Sequence, residues 1–411
     1  MSATTERAAA GLPDLLYGEA ESELRAAVRS LLEDRCAWPD VLARTETAQT
    51  YDTGLWRVLA ADLGAAGLLI PEASGGAGAS FREAAVVAEE TGRAVAPVPF
   101  LGSAVVATAA VLSAGGSGGS SPRVGTSAGG TGGSSPRVGT AGDDELLAAL
   151  AAGTMTAVLA IPFEAGPGAP APTARIGSSP AGDTRYLLSG TVAGIADALP
   201  ADVLLVPADG VPYGLYAVPA REAGVTLDPV VSLDMTRQLA DLTLDGAPGR
   251  RVASGDAARQ AVAAALAAGA AVLASEQLGV AERCLEMTVA YLKARRQFAR
   301  PVGSFQALKH RVADVWVGVT QARAAARYAA ACLAGGDPDA PVAVALAKAA
   351  CSDIAVRAAQ ECLQLHGGIG FTWEHPTHLY LKRAKSSSIG FGTADRHRAM
   401  LAQLADLPGP P

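Results

Sequence analysis

The order of hydrophobic periodicities along the chain constrains its fold more than any other feature. Apolar residues recur at helical spacing in segments 21–34, 52–67 and 80–95, and again from Gly255 to about Leu407. Between these regions lie the strand-like runs TMTAVLAIP, RYLLSGTVAGI, ADVLLVPA, YGLYAVPA and RQLADLTLDGAP, separated by Pro, Gly and Asp turns. The sequence therefore predicts an α+β multidomain protein with an N-terminal all-α domain, a middle β-barrel or sandwich and a C-terminal four-helix bundle.

The same patterns divide the chain into four parts. They are an N-terminal helical domain (1–112), a duplicated linker rich in Gly and Ser (113–143), a middle β domain (144–250) and a C-terminal helical bundle (251–411). The linker contains SAGGSGGSSPRVGT followed by SAGGTGGSSPRVGT, which differ only at Ser117 and Thr131. Because it has few large apolar side chains to offset the entropy of ordering, we expect it to be flexible.

Composition limits the partners. The net charge is -7 and no run of five like charges occurs, which argues against a nucleic-acid surface or a polybasic membrane anchor. The Ala-rich stretch from Ala261 to Leu273 is interpreted as a buried helix and not as a membrane span. The cysteines are scattered and form no C-x-x-C pair, which favours a reducing cytoplasm without disulfides or a zinc site. They are Cys36, Cys284, Cys332, Cys351 and Cys362.

Three segments carry a family resemblance. They are WRVLAADLGAAGLLIPEASGGAGASFREAAVVAEETGR near the N-terminus, ARRQFARPVGSFQALKHRVAD (294–314) and ECLQLHGGIGFTWEHPTHLYLKRAK (361–385). Together they resemble the acyl-CoA dehydrogenases, which are FAD-dependent flavoproteins and usually oligomers. The resemblance covers nearly the whole chain outside the duplicated linker.

The resemblance implies a set of residues that bind FAD. Arg295 offers the flavin pyrophosphate a planar, permanently charged fork. Gly367 and Gly368 lack a Cβ and allow a close backbone approach, while Gln364 can both donate and accept. All but the last of the implied residues typically reach the FAD of a neighbouring subunit. The full set is Arg295, Gln297, Phe298, Phe305, Gln364, Gly367, Gly368 and Thr393.

The catalytic base of this family is a carboxylate, and the resemblance implies two positions for it. One falls on Phe391 and the other on Gly269, and neither residue can accept a proton. Glu276 lies two helical turns beyond Gly269, roughly 10 Å along the axis, and is too far to replace it. Asp395 is interpreted as a solvated acid near a helix start. No catalytic residue is therefore assigned.

The middle domain also lacks residues that members of the family usually have beside the flavin. Where members usually have a Thr-Glu-Pro type turn and a Trp-Ile strand against their own flavin ring, this chain has Pro162-Phe163-Glu164 and VAGIA, with Gly194 in place of the tryptophan. The contacts to the chain's own flavin are therefore predicted to be lost, while those to a neighbour's FAD are retained.

Two functions follow from these observations. In the first, the chain is a non-catalytic, FAD-sharing subunit of a heteromeric acyl-CoA dehydrogenase that desaturates an acyl thioester of CoA. In the second, it is a self-sufficient FAD-dependent acyl-CoA dehydrogenase, or a related flavin oxidase, with a relocated base. A chain that has lost flavin altogether is the third possibility. The expected partners are an acyl-CoA, a homo- or hetero-oligomer and an electron-acceptor flavoprotein.

Overall fold

Helices form the N-terminal part of the protein in the computed structural model, which describes residues 14–47, 49, 51–115, 141–167, 174–177 and 185–407. Most of the predicted duplicated linker, residues 116–140, lies outside the described residues. Ser80 caps a helix, since its Oγ accepts from the Arg82 amide at 3.1 Å. The helices are α1 (Glu19–Arg35), α2 (Trp38–Thr45), α3 (Thr53–Arg57), α4 (Phe81–Arg93), α5 (Thr108–Gly115) and α6 (Ala141–Ala151).

The middle region is one seven-stranded sheet with the order β1-β4-β5-β7-β3-β2, and β6 pairs with β7. Its strands are β1 (Ala157–Leu159), β2 (Arg175–Ile176), β3 (Arg185–Ala196), β4 (Val203–Ala208), β5 (Gly214–Pro219), β6 (Val225–Val230) and β7 (Leu239–Ser254). Strand β7 continues past residue 250, where the sequence placed the domain end. Its last residues stay in the sheet because they pair with β5, for example Ser254 with Gly214.

The C-terminal region is helical, which confirms the predicted α+β fold class. It consists of α7 (Asp256–Ala294), the short hairpin β8 (Arg296–Gln297) and β9 (Arg300–Pro301), α8 (Gln306–Gly335), α9 (Ala340–His366), α10 (Thr377–Ile389) and α11 (Ala394–Leu404). Helix α7 contacts α4, α5, α8 and α9. By length and composition α7 could cross a membrane, but 78% of its most apolar window is buried inside the protein. Its apolar character therefore reflects the core packing predicted for the Ala-rich stretch.

A buried ionic network joins the sheet to the helical bundle. Arg383 on α10 lies 2.9 Å from Oδ2 of Asp234 and 3.1 Å from Oε1 of Glu276 on α7. Arg237, on the same loop as Asp234, pairs with the other oxygen of Glu276. All four residues are at most 4% exposed. Two positive and two negative charges therefore compensate one another away from water.

A second buried contact extends this connection to the N-terminal domain. The Tyr51 hydroxyl donates to Oδ1 of Asp197 at the end of β3, and the Gly102 amide donates to Oδ2 at 3.0 Å. Burial raises the pKa of Asp197, although the nearby Arg237 acts in the opposite direction. The three regions thus meet at neighbouring buried polar groups.

The ionic network predicts a large cost for removing one of its members. Arg383→Ala leaves the buried Asp234 without its guanidinium and Glu276 with Arg237 alone, so we expect the free energy of unfolding to fall by about 3–5 kcal/mol. Arg398→Ala is the matched control, because Arg398 pairs with Asp353 and Asp395 at the surface. It should cost less than about 1 kcal/mol. Denaturant unfolding checks both variants, and equal losses would contradict the structural role of the network.

Candidate functional site

The two positions that the family resemblance assigns to a catalytic carboxylate are in direct contact. Phe391 follows α10 in a left-handed conformation with φ +51°, and its side chain is buried at 5% exposure. A Cβ added at Gly269 on α7 would lie 2.7 Å from Cζ of the Phe391 ring. The ring therefore occupies the space above Gly269. Neither position supplies a group that can accept a proton.

The turn at Phe163 closes against the loop that carries Phe391. The Phe391 amide donates to the Phe163 carbonyl at 2.8 Å. Their rings meet edge to face, with centroids 5.7 Å apart. A Cβ at Gly390 would lie 2.4 Å from the Phe163 ring. The turn and the loop that the family resemblance implies at the flavin edge and at the base are thus joined to each other in this chain.

Gly194, which the family resemblance aligns with a tryptophan, adopts a backbone conformation that favours glycine. It lies at a bulge in β3, between Val192 and Ile195, with φ +65°. Its amide donates to Asp241 Oδ1 at 2.8 Å, and its carbonyl accepts from the Phe163 amide at 2.9 Å. A residue with a side chain is strained in this left-handed region. The strand is therefore built for glycine and not for a large aromatic residue.

The two nearby carboxylates, Glu276 and Asp395, are paired with arginines. Burial raises the pKa of Glu276, but Arg237 and Arg383 more than offset this effect, so the net pKa lies below its usual value. A carboxylate held by two guanidinium groups is a poor proton acceptor. Asp395 is exposed and pairs with Arg398 at 3.0 Å, as expected of a solvated acid. Neither residue is placed to act as the carboxylate base that the family resemblance implies.

A separate cavity brings together most of the residues implied in binding a neighbour's FAD. Its volume is about 390 Å³, and Tyr291, His366 and Arg311 also line it. The His366 ring stacks on that of Tyr291 with centroids 4.5 Å apart. The predicted residues that line this cavity are Arg295, Gln297, Gln364, Gly367 and Gly368. We refer to it as the shared-cofactor cavity.

The remaining predicted residues lie outside the cavity lining. Phe298 is 86% exposed on the β8–β9 turn, and its ring meets that of Phe305 edge to face at 6.2 Å. The Arg300 guanidinium lies 3.9 Å from the centroid of Phe305. Thr393 is the N-cap of α11, two residues after Phe391, and accepts from the Arg396 amide at 3.4 Å. The structure therefore places Thr393 apart from the shared-cofactor cavity.

Matches to known proteins agree with this architecture. The profile of the acyl-CoA dehydrogenase N-terminal domain matches residues 18–118, and that of the C-terminal domain matches residues 259–405. Acyl-CoA dehydrogenase IpdE2 of Mycobacterium tuberculosis is 35% identical over 90% of this chain and 92% of its own length. The chain belongs to the acyl-CoA dehydrogenase family.

Solved structures extend the match to three dimensions. A variant of the Tcur3481-Tcur3483 steroid ACAD has a TM-score of 0.79 and 30% identity, covering 96% of this chain and 99% of its own. The ChsE4-ChsE5 complex from Mycobacterium tuberculosis has a TM-score of 0.79 and 27% identity, covering 96% and 100%. Family membership and the fold prediction are both confirmed, and the family points to FAD as the cofactor.

The shared-cofactor cavity fits the anionic part of FAD. A Cβ at Gly367 or Gly368 would meet nothing within 4 Å, so the backbone there is open to a ligand. Helices α7 and α9 both end at this cavity, and helix C-termini carry partial negative charge. A pyrophosphate therefore needs a fixed cation here. Arg295 supplies one, since its guanidinium has no ion pair among the residues that the structure describes.

A larger crevice lies between the sheet and the helical bundle. Its volume is about 830 Å³, and apolar residues such as Val192, Leu266 and Met400 form most of its walls. Neither Phe391 nor Gly269 is among the lining residues. We refer to this space as the interdomain crevice.

Sequence reasoning missed the buried amine behind the Phe391 loop. Lys348 on α9 is fully buried, and its Nζ donates to Ser352 Oγ at 2.8 Å and to the Ser387 carbonyl at 3.1 Å. Burial lowers the pKa of Lys348 to about 7. The sequence did indicate that this lysine is buried, because it lies among alanines of α9 that face the core. It does not line the interdomain crevice and so cannot reach a substrate there.

Lys348 predicts a pH dependence of stability. The unfolded chain keeps this proton up to about pH 10, whereas the folded chain loses it near pH 7, so the unfolded state binds more protons between these values. Stability should therefore rise with pH in this window, by up to about 1.4 kcal/mol per pH unit. Lys348→Met removes the contribution, so its stability relative to wild type should be higher at pH 6 than at pH 9.

Denaturant unfolding at the two pH values measures this effect. Ser352→Ala is the control, because it removes a hydrogen-bond acceptor and leaves the amine in place, so the pH dependence should persist. A difference between Lys348→Met and wild type that does not change with pH would contradict the prediction.

Proposed function

We propose that this chain is a non-catalytic, FAD-sharing subunit of a heteromeric acyl-CoA dehydrogenase. The observation that carries the proposal is the packing of Phe391 on Gly269. A carboxylate absent from one position could be supplied from the other. Here the ring of Phe391 fills the space above Gly269, so neither position offers a carboxylate. The base would be supplied by a partner chain of the same family.

The segments that the family resemblance places beside the flavin ring also support a non-catalytic function. The backbone hydrogen bond between Phe391 and Phe163, and the glycine bulge at Gly194, replace contacts that the family resemblance assigns to the chain's own flavin ring. FAD accepts a hydride from the substrate when it is bound, but a protein must also orient its ring and hold a base in reach. This chain offers neither at the position expected for them.

The shared-cofactor cavity supports a contribution to the partner's FAD. Arg295 and the open glycines form a site for the pyrophosphate, while the contacts near the catalytic positions have changed. A general loss of flavin binding would not be expected to keep the residues of the shared-cofactor cavity and change only the contacts near the catalytic positions. The ChsE4-ChsE5 structure is that of a complex, which agrees with assembly from two different chains. An acyl-CoA substrate, an electron-acceptor flavoprotein and a cytoplasmic location remain predictions.

The second candidate function is that of a self-sufficient enzyme. The interdomain crevice favours it, because its volume could admit a ligand of the size of a flavin ring.

The visible spectrum of the purified full-length chain distinguishes the subunit function from the self-sufficient enzyme. We expect a colourless protein that becomes yellow only when co-expressed with a partner acyl-CoA dehydrogenase chain. A chain that carries stoichiometric FAD alone, and loses its colour on addition of an acyl-CoA, would exclude the subunit function.

Arg295 should control FAD affinity in the assembled complex. A charge-assisted hydrogen bond contributes about 1.5–3 kcal/mol, so Arg295→Ala should weaken FAD binding by about 10- to 100-fold. Arg296→Ala is the matched control, because Arg296 is exposed, adjacent in sequence and absent from the cavity lining. Fluorescence titration of the FAD-free complex measures both variants. Equal affinities would show that Arg295 does not contact the cofactor.

A glutamate at position 391 should not make the chain active. Phe391→Glu restores the residue type of the family, but the flavin-edge turn and the bulge at Gly194 are unchanged. We expect the variant chain, tested without a partner but with FAD added to the solution, to give no reduction of the flavin when an acyl-CoA is supplied. A measurable rate, from a residue type that typically contributes about 10²- to 10⁴-fold, would contradict our interpretation of the middle domain.

A further inference from the structure

Two of the five cysteines lie side by side in the helical bundle. Cys284 on α7 and Cys362 on α9 are at most 1% exposed, and a hydrogen bond joins their side chains. Both are free thiols, as are the other three cysteines. The two helices pack against each other, and the pair lies at their contact. Folding thus brings together two thiols that are far apart in the sequence.

His366 connects this thiol pair to the shared-cofactor cavity. Its Nδ1 lies 3.7 Å from Sγ of Cys362 and 2.6 Å from the Cys362 carbonyl oxygen. The ring lines the cavity and packs against those of Tyr291 and His375. The side chain is 2% exposed, yet its Nε2 has no hydrogen-bond partner among the residues that the structure describes. An imidazole in this position can take up the proton of a thiol and remain beside the thiolate.

The surroundings of Cys362 favour its thiolate. The hydrogen bond from Cys284 lowers the pKa of the Cys362 thiol most, and those from His366 and Thr288 add to this effect against burial. Cys351, on the same helix, has no such donors, and burial raises its pKa to about 12. The thiolate is the reactive form of cysteine. Cys362 is therefore the nucleophile of the pair, and Cys284 is a second thiol within its reach.

We propose that Cys284 and Cys362 form a redox-sensitive modification site, which a hydroperoxide converts to a disulfide. The Cys362 thiolate attacks one peroxide oxygen, the O–O bond breaks, and the leaving hydroxide takes the proton held by His366 and becomes water. Cys362 is then a sulfenic acid. The Cys284 sulfur attacks the Cys362 sulfur, the S–O bond breaks, and the departing hydroxide takes the Cys284 proton and leaves as a second water. The two sulfurs lose two electrons, which the peroxide gains.

This inference does not depend on the proposed function, because the isolated chain carries both thiols and the imidazole. The purified, reduced, full-length chain is treated with hydrogen peroxide, and its free thiols are counted after denaturation. We expect two of the five thiols to disappear and to return on addition of dithiothreitol. Peptide mapping by mass spectrometry should find one cross-link, between Cys284 and Cys362.

Variants assign the two roles. Cys362→Ala should keep its four remaining thiols under the same conditions. Cys284→Ala should stop at a sulfenic acid on Cys362, which dimedone traps when the sample is denatured. Cys351→Ala is the matched control, because Cys351 is also buried on α9, and it should form the cross-link at the wild-type rate. Thermal unfolding shows that each variant is folded.

His366→Phe tests the imidazole with a ring that can still pack against Tyr291. Loss of one donor to the thiolate should slow formation of the cross-link by about tenfold, which corresponds to one pKa unit. Four outcomes would overturn the proposal. They are loss of thiols only after the chain unfolds, a cross-link to another cysteine, equal oxidation of folded Cys362→Ala, and a wild-type rate in His366→Phe.

Discussion

The contact of Arg383 with Asp234 and Glu276 fixes the arrangement on which the other features depend. It ties α10, the β6–β7 loop and α7 together inside the protein, where water cannot replace any of the partners. A buried ion pair of this kind is not a large source of net stability compared with apolar packing, but a misplaced partner leaves an uncompensated charge. The network therefore specifies how sheet and bundle meet, and so sets the positions of the crevice and of the Phe391 loop.

The same network explains why the nearest acid is not a base. Glu276 lies on the helix that also carries Gly269, and its carboxylate is occupied by two guanidinium groups. A proton acceptor in this family must be free to take a proton from the substrate. Structural use and catalytic use of one carboxylate are therefore incompatible here, and the structural use is the one that the geometry provides.

The sequence predicted the fold class and the burial of the Ala-rich helix, because both depend on local pattern. The convergence of five predicted residues around one cavity was foreseeable only through the family resemblance. The resemblance implied Thr393 as a cofactor-binding residue apart from this group, and Thr393 lies two residues after Phe391 and outside the cavity lining. The pairing of Arg237 and Arg383 with Glu276 could not be predicted, because the partners are far apart in sequence and ordinary in type. The contact between Phe391 and Gly269 likewise could not be predicted, because the two residues are far apart in sequence and meet only in the folded structure.

That last contact has a consequence for how the chain can change. A large ring at position 391 requires the absence of a side chain at position 269, so the two positions are epistatic and not independent. Any carboxylate introduced on α7 at residue 269 would first have to displace the ring, and shortening the ring alone would open a void above bare backbone. Each single step is thus unfavourable. Packing of this kind makes a carboxylate at either position difficult to introduce by single substitutions.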